Sequence, residues 1–245
     1  MLEILDDLFK DQSPTASTDL EADEIILIAD RSGSMSSIRE DAQGGINEFV
    51  REQQKQGNAN FTLVEFDTEI DAVYKQTDIK NVADYQLLPR GGTALYDAIG
   101  FTLANADNIK TTGKKICVIV TDGGENASRE WEQKNVFDRI ESLKEKGWDF
   151  LFLAANQDAM ATGMGLGISY GETVTFGYDS QGTKDAYAVA STYTSNLRGG
   201  LSKSATIDAL NIDIKNSVGL GKSAVGDFAD LDTSDENEES DSDEE

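Results

Sequence analysis

An open α/β sheet, mostly parallel, with helices on both faces and one antiparallel edge strand, is the fold class this sequence predicts. Three observations predict it. The runs 25–29, 115–121 and 148–155 are apolar and short, as strands buried on both faces of a sheet are. The segments between them carry apolar residues at helical spacing, which gives the strand–helix alternation of a parallel sheet. The first two runs each lead into an aspartate, Asp30 and Asp122, that opens a short polar loop. In open sheets of this class, ligands bind at the carboxyl ends of the strands.

Taken in order, residues 1–10 place Leu2, Leu5, Leu8 and Phe9 on one face of a short amphipathic helix, and 11–23 read as a linker. After the strand at 25–29, a helix is expected to begin near Ser36 or Ser37 and run to 56. Its inward stripe is Ile38, Ala42, Ile46, Phe49 and Val50, and Gly57 stops it. Residues 61–66 and 70–76 read as strands. Only Asp67, Thr68 and Glu69 separate them, so they form a hairpin and supply the antiparallel edge. A connection over 78–92 ends in a Gly-Gly turn before Thr93, followed by a helix at 94–109. Beyond the strand at 115–121, a helix at 129–146 turns Val136, Phe137, Ile140 and Leu143 inward. The strand at 148–155 is followed by a short helix within 157–168, an edge-like strand at 172–176 and a helix at 181–197. A weak helical pattern near 205–214 lies in a stretch read as a linker. The domain reading is an acidic segment over 1–23, one α/β domain over 24–198, a linker over 199–226 and a disordered acidic segment over 227–245.

Charge narrows the function classes. The formal net charge is −25, and it is uneven: residues 1–24 contribute −7, residues 227–245 contribute −11, and the stretch between them contributes −7. Such a chain lacks the lysine and arginine clusters that neutralise nucleic-acid phosphates, and it is repelled by anionic membranes. No nucleic acid and no membrane is therefore expected as a partner. The sequence has no histidine and one cysteine. Serine–histidine or cysteine–histidine nucleophile pairs and the usual zinc sites are then excluded, and Cys117, inside an apolar run, reads as core. The first residues are acidic, without the basic start of a secretory signal, and no run is long enough to span a bilayer. The expected location is cytoplasmic, with association to a virion as the alternative.

The loop Asp30-Arg31-Ser32-Gly33-Ser34 carries a carboxylate and two hydroxyls at alternate positions. This all-oxygen set suits a hard cation such as Mg²⁺. Taken alone, the loop is equally well read as a helix N-cap. Thr93 after its Gly-Gly turn and Asp122 after the next buried strand change that balance, because both loops should open at the same sheet edge.

These three loops resemble the von Willebrand factor A (vWA) domain family and its metal-ion-dependent adhesion site (MIDAS). That site is Asp-x-Ser-x-Ser on one loop, a threonine on a second and an aspartate on a third. All five positions match, and the resemblance covers about residues 24–197. It implies a Rossmann-like fold and a site in which Ser32 and Ser34 bind Mg²⁺ directly. Thr93 would bind directly or through water, and Asp30 and Asp122 mostly through water. Mn²⁺ or Ca²⁺ are alternatives to Mg²⁺. One coordination position would stay open for an aspartate or glutamate of a protein partner. The chain's own acidic segment, or that of a neighbouring copy, is another source of that carboxylate.

The implied function is a non-enzymatic, metal-dependent protein-binding module. A structural or assembly component of a phage or other large particle is the alternative. A metal-dependent phosphohydrolase is less favoured, since Ser32 stands where an aspartyl phosphatase carries its second carboxylate. Around the site, Arg31 reads as a solvated side chain and Arg90 as a candidate to steer an acidic ligand. Glu125 and Asn126 read as supports or caps, Asp97 as a structural hydrogen-bonding group and Asp67 as a turn residue. Trp131, Met160 and Met164 read as core.

Overall fold

The structure, a computed structural model, describes residues 21–155 and 159–216. The expected helix at 1–10 and the acidic segment 227–245 lie outside these residues. The chain forms β1 (Asp23–Asp30), α1 (Arg39–Gln54), β2 (Ala59–Phe66), β3 (Ile70–Asp78), α2 (Leu95–Leu103) and β4 (Lys115–Thr121). It continues with α3 (Gln133–Glu145), β5 (Trp148–Ala154), α4 (Ala159–Gly165), β6 (Thr173–Thr175), α5 (Ser180–Arg198) and α6 (Lys203–Asn216).

The six strands form one sheet in the order β3-β2-β1-β4-β5-β6. Every pairing is parallel except β2–β3, which places the antiparallel strand at one edge as the three-residue link 67–69 requires. Strand β1 shows why both faces are covered. Ile25, Leu27 and Ala29 join one apolar cluster, and Ile26 and Ile28 join another, because successive side chains of a strand point to opposite faces. On the first face lie α1 and α5, through Ile46, Phe49, Ala190 and Tyr193. On the second lie α2 and α3, through Leu95, Ile99, Val136 and Ile140. Each fully buried side chain of this size contributes roughly 1.5–3 kcal/mol. Helices α1 and α5 approach closely at Gly45, where a Cβ would fall 2.3 Å from the Tyr187 ring. Cys117 is buried in the second cluster.

Several expectations need correction. The first helix starts at Arg39 rather than Ser36, because Gly33–Ser37 is wound as a separate 3₁₀ turn before it. The helix expected over 94–109 ends at Leu103, with a separate 3₁₀ turn at Ala106–Asn108. Phe137 faces outward with 38% of its surface exposed, whereas Val136, Ile140 and Leu143 carry the α3 contact. Met164 is likewise exposed at 53%, while Trp131 packs over Gly100 and the edge of Phe101 as a core residue should. The stretch read as a linker carries helix α6. Leu210 is buried against the first cluster, and the Lys203 ammonium joins Asp149 at 2.9 Å and Glu172 at 2.8 Å. Weak periodicity hides a helix that long-range ion pairs and one buried leucine hold in place.

Candidate metal centre

Strands β1 and β4 are neighbours in the sheet, and the chain leaves β1 toward β2 on one side before returning to β4 on the other. This is the switch point of the sheet, where the loops after the two strands part and leave a crevice. Asp30 ends β1, and Asp122 follows β4 directly.

The loop after β1 is shaped by its own hydrogen bonds. The Asp30 carboxylate accepts from the Ser32 N–H at 2.6 Å and from the Thr121 hydroxyl at 2.6 Å, which ties the ends of the two strands together. The Ser32 and Ser34 hydroxyls are 3.0 Å apart, and Ser34 Oγ donates to Asp122 Oδ1 at 2.8 Å. The loop carrying Thr93 is held against both others. Gly91 adopts a φ of +67, which favours glycine, and its carbonyl accepts from the Gly33 N–H at 3.1 Å. The Asn126 side-chain oxygen accepts from the Thr93 N–H at 2.9 Å, and the Thr93 carbonyl accepts from the Asn126 N–H at 3.0 Å. At Gly123 a Cβ would stand 3.4 Å from the Thr93 hydroxyl and 3.9 Å from that of Ser34, so this glycine leaves the space between them open.

The five residues named from the sequence, Asp30, Ser32, Ser34, Thr93 and Asp122, are thus brought to one place. Asp30, Ser32, Thr93 and Asp122 are buried, and Ser34 faces solvent. Among the described residues no lysine or arginine pairs with either aspartate, and Asp122 Oδ2 is buried without a hydrogen-bond partner. Burial pushes the Asp30 carboxyl up to about 6 against the opposing hydrogen bonds of Thr121 and Ser32, and the Asp122 charge adds to the rise. Burial also raises Asp122, with the Ser34 hydroxyl opposing it. Two buried carboxylates with no basic partner among the described residues, beside three hydroxyls, are an all-oxygen donor set of the chemistry that hard cations take. The set is not a carboxylate cage: among the described residues no group of three or more His, Cys, Asp or Glu side chains is arranged so that it could hold a metal ion by itself.

Neighbouring residues take clear roles. Arg31 is not solvated but buried, at 5% exposure. It turns away from the two aspartates to pair with Glu65, with Asp67 at 2.6 Å and with Asp71 at 2.5 Å. Its partners lie on β2, β3 and the turn between them, 34 to 40 residues away in sequence. Arg90 is half exposed but engaged with Asp67 at 2.7 Å and Glu69 at 2.5 Å. Asp67 does shape its turn, accepting from the Glu69 N–H at 2.7 Å, and it also anchors both arginines. Burial would raise its carboxyl, but Arg90, the Glu69 N–H and Arg31 together hold it below the ordinary value. Asp97 accepts from the N–H groups of Arg129, Glu130 and Trp131, the structural part expected of it. Glu125 accepts from the Tyr96, Ala127 and Ser128 N–H groups and so caps α2.

Sequence reasoning missed Tyr178. Its hydroxyl donates to the Ser34 carbonyl at 2.5 Å and lies 2.7 Å from Ser37 Oγ, while the residue stays 47% exposed. Nothing local marks it, because it reaches the first loop from the far end of the sheet, 144 residues on.

No protein-family model matches this sequence, and no curated protein matches it. Solved structures do. The pilus adhesin SpaC of Lactobacillus rhamnosus GG is similar with a TM-score of 0.57 at 14% identity, over 74% of this chain and 31% of that one. The PilB minor pilin of Streptococcus sanguinis is similar with a TM-score of 0.54 at 11% identity, over 71% of this chain and 62% of that one. The ArnB paralog VWA2 of Sulfolobus acidocaldarius is similar with a TM-score of 0.50 at 16% identity, over 68% and 44%. This chain therefore spans between about a third and three fifths of these structures. At such identities the likeness speaks for the fold: the chain has the Rossmann-like vWA fold, with a mostly parallel sheet, one antiparallel edge strand and helices on both faces.

Proposed function

We propose that this chain is a non-enzymatic, divalent-metal-dependent protein-binding module. Asp30, Ser32, Ser34, Thr93 and Asp122 would hold Mg²⁺, and an aspartate or glutamate of a partner protein would complete its shell. One observation carries the reading: two buried aspartates without a basic partner, one with an orphaned oxygen, meet three hydroxyls at the switch point of the sheet. Carboxylates, hydroxyls and waters suit Mg²⁺ more than the soft or nitrogen-loving metals, and Mn²⁺ is the closest substitute.

The bound ion would supply a concentrated positive charge at the solvent-facing side of Ser34. The chain's own residues prepare that place. Thr121 and the Ser32 N–H fix the Asp30 carboxylate, Asn126 fixes the loop of Thr93, and Tyr178 fixes the backbone of Ser34. Arg31, which would otherwise neutralise the aspartates, is held away by Glu65, Asp67 and Asp71. An incoming carboxylate gains strongly from a cation whose own ligands carry little charge. The pilus adhesin among the structures of this fold is in keeping with an adhesive role.

The test is capture of partners from the native extract by wild type and by Asp30→Ala, each with Mg²⁺ and with chelator. A partner held only by wild type and only with metal supports the module. A partner retained by both proteins in both conditions would place binding elsewhere and reduce the metal to a structural part. Recovery of a particle's own coat or assembly protein would turn the reading toward the assembly alternative.

A further inference from the structure

At the opposite edge of the sheet, where β4 and β5 begin, lies a pocket of about 390 Å³. Lys110, Lys115 and Lys146 line it, Ile109 and Trp148 form its buried apolar floor, and Asp107 is its one acidic residue. A seven-residue strand spans roughly 20 Å, so this pocket is well separated from Asp30 and Asp122.

Its charge is opposite to that of the chain. The Asp107 carboxylate is already shared between Arg139 and Lys146, at 2.8 Å each. Among the described residues, the three ammonium groups make one hydrogen bond apiece. Lys110 donates to the Asp107 carbonyl at 2.9 Å, Lys115 to the Lys146 carbonyl at 2.8 Å, and Lys146 to Asp107 Oδ1 at 2.8 Å. An ammonium has three N–H donors, so each keeps two for another acceptor. Three lysines against one aspartate, whose charge is also met by Arg139, make a positive pocket on a chain of net charge −25. Its match in charge is the segment 227–245, with eleven acidic residues and no basic one.

The chain is long enough to lead back to the pocket. Helix α6 begins at Lys203, whose ammonium pairs with Asp149, the residue after Trp148 in the pocket floor. Its 14 residues extend about 21 Å, and the eleven residues from Asn216 to Asp227 can span up to about 36 Å. We propose that the acidic segment 227–245 docks in the pocket of Lys110, Lys115 and Lys146 in the same molecule. Tethering sets its effective concentration near the millimolar range, which lets an association driven mainly by charge persist at moderate salt. Docked there, the segment's carboxylates are kept on the edge opposite the candidate metal centre. The proposal stands whether or not that centre binds metal.

The test compares backbone amide NMR shifts of the full chain with those of a chain ending at residue 226, which keeps every described residue. Both are measured in chelator, at low salt and in 0.5 M NaCl. Shift changes on truncation are expected at 106–115 and 146–148. They should vanish in 0.5 M NaCl, and in a full chain carrying Lys110→Gln and Lys115→Gln whose remaining spectrum is unchanged. No change on truncation overturns the proposal. So do changes centred on 30–34 and 122, or changes that appear only as protein concentration rises, which assign the segment to a neighbouring copy. Because chelator is present throughout, failure of the metal reading leaves this result untouched.

Discussion

Asp30 and Arg31 are adjacent in the chain and lie in opposite electrostatic worlds. On the Arg31 side, four carboxylates of β2, β3 and their turn converge on two guanidinium groups, and Asp67, nearly inaccessible, takes a bond from each. On the Asp30 side, two buried aspartates have hydroxyls and one backbone N–H for company, and one oxygen of Asp122 has nothing. The first cluster carries its own counter-ions and is a structural device. The second has no lysine or arginine partner among the described residues. A buried charge costs several kcal/mol unless it is paired, so the contrast separates charge that the fold compensates with its own cations from charge that it does not, the pair on which the proposed metal reading rests.

Removing the counter-ion from the first side should have the strongest consequence. Arg31→Met leaves Glu65 and Asp67 with a lost partner in a largely dry place. It should cost about 3–5 kcal/mol in urea unfolding, metal or no metal. A loss under about 1 kcal/mol would mean that Arg90 alone suffices and that the network is looser than its geometry.

The reciprocal change on the second side should do the opposite. Asp122→Asn removes a buried charge that no basic group pairs, so stability in chelator should hold or rise by about 1 kcal/mol. Added Mg²⁺ should stabilise wild type by about 2.7 kcal/mol at a hundredfold excess over its dissociation constant, and the variant not at all. Equal responses of both proteins in melting experiments would remove Asp122 from the centre.

A third carboxylate sharpens the scale between these extremes. Glu24 at the start of β1 is buried with two amide partners, Asn60 at 2.6 Å and Gln76 at 3.4 Å, and no lysine or arginine pairs with it among the described residues. Burial pushes its carboxyl up to about 7, the two amides oppose the rise, and Asp23 adds to it. An acid whose folded value is raised contributes stability that is full below its ordinary value of 4.5 and is lost as pH rises through about 7. Glu24→Gln keeps the bond from Asn60 and removes the charge. It should therefore be close to neutral at pH 4.5 and stabilising by about 1–2 kcal/mol at pH 8, read by denaturant unfolding at both values. A gain independent of pH would show that the charge is not the cause.

The local parts of this molecule were legible before any coordinates. An apolar run of strand length leading into an aspartate is a contiguous signal, and so is a Gly-Gly turn before a threonine. They are legible because strand burial and loop geometry are dictated over five to ten residues. Hence the parallel sheet, its antiparallel edge at 67–69 and the five oxygen-bearing residues could be named. The illegible parts depend on residues far apart in sequence. Arg31 reads as a solvated charge beside the motif, and only the pairing of β1 with β2, and of β2 with β3, brings Glu65, Asp67 and Asp71 to it. Phe137 fits the apolar stripe of α3, and only the rotation of that helix on the sheet turns it outward.

By itself, then, the sequence determined the six strands and most of the helices (though not the one at 203–216), which loops open together, and that the chain is strongly acidic with its charge gathered at 1–24 and 227–245. The tertiary structure alone decided which charges have partners. It gave Arg31 to the hairpin and left Asp122 without a lysine or arginine partner among the described residues, it reached Tyr178 across to Ser34, and it gathered Lys110, Lys115 and Lys146 at the other edge. The reason is range: strand and turn preferences act between neighbours along the chain, whereas ion pairing and burial are set by where the folded sheet brings distant residues together.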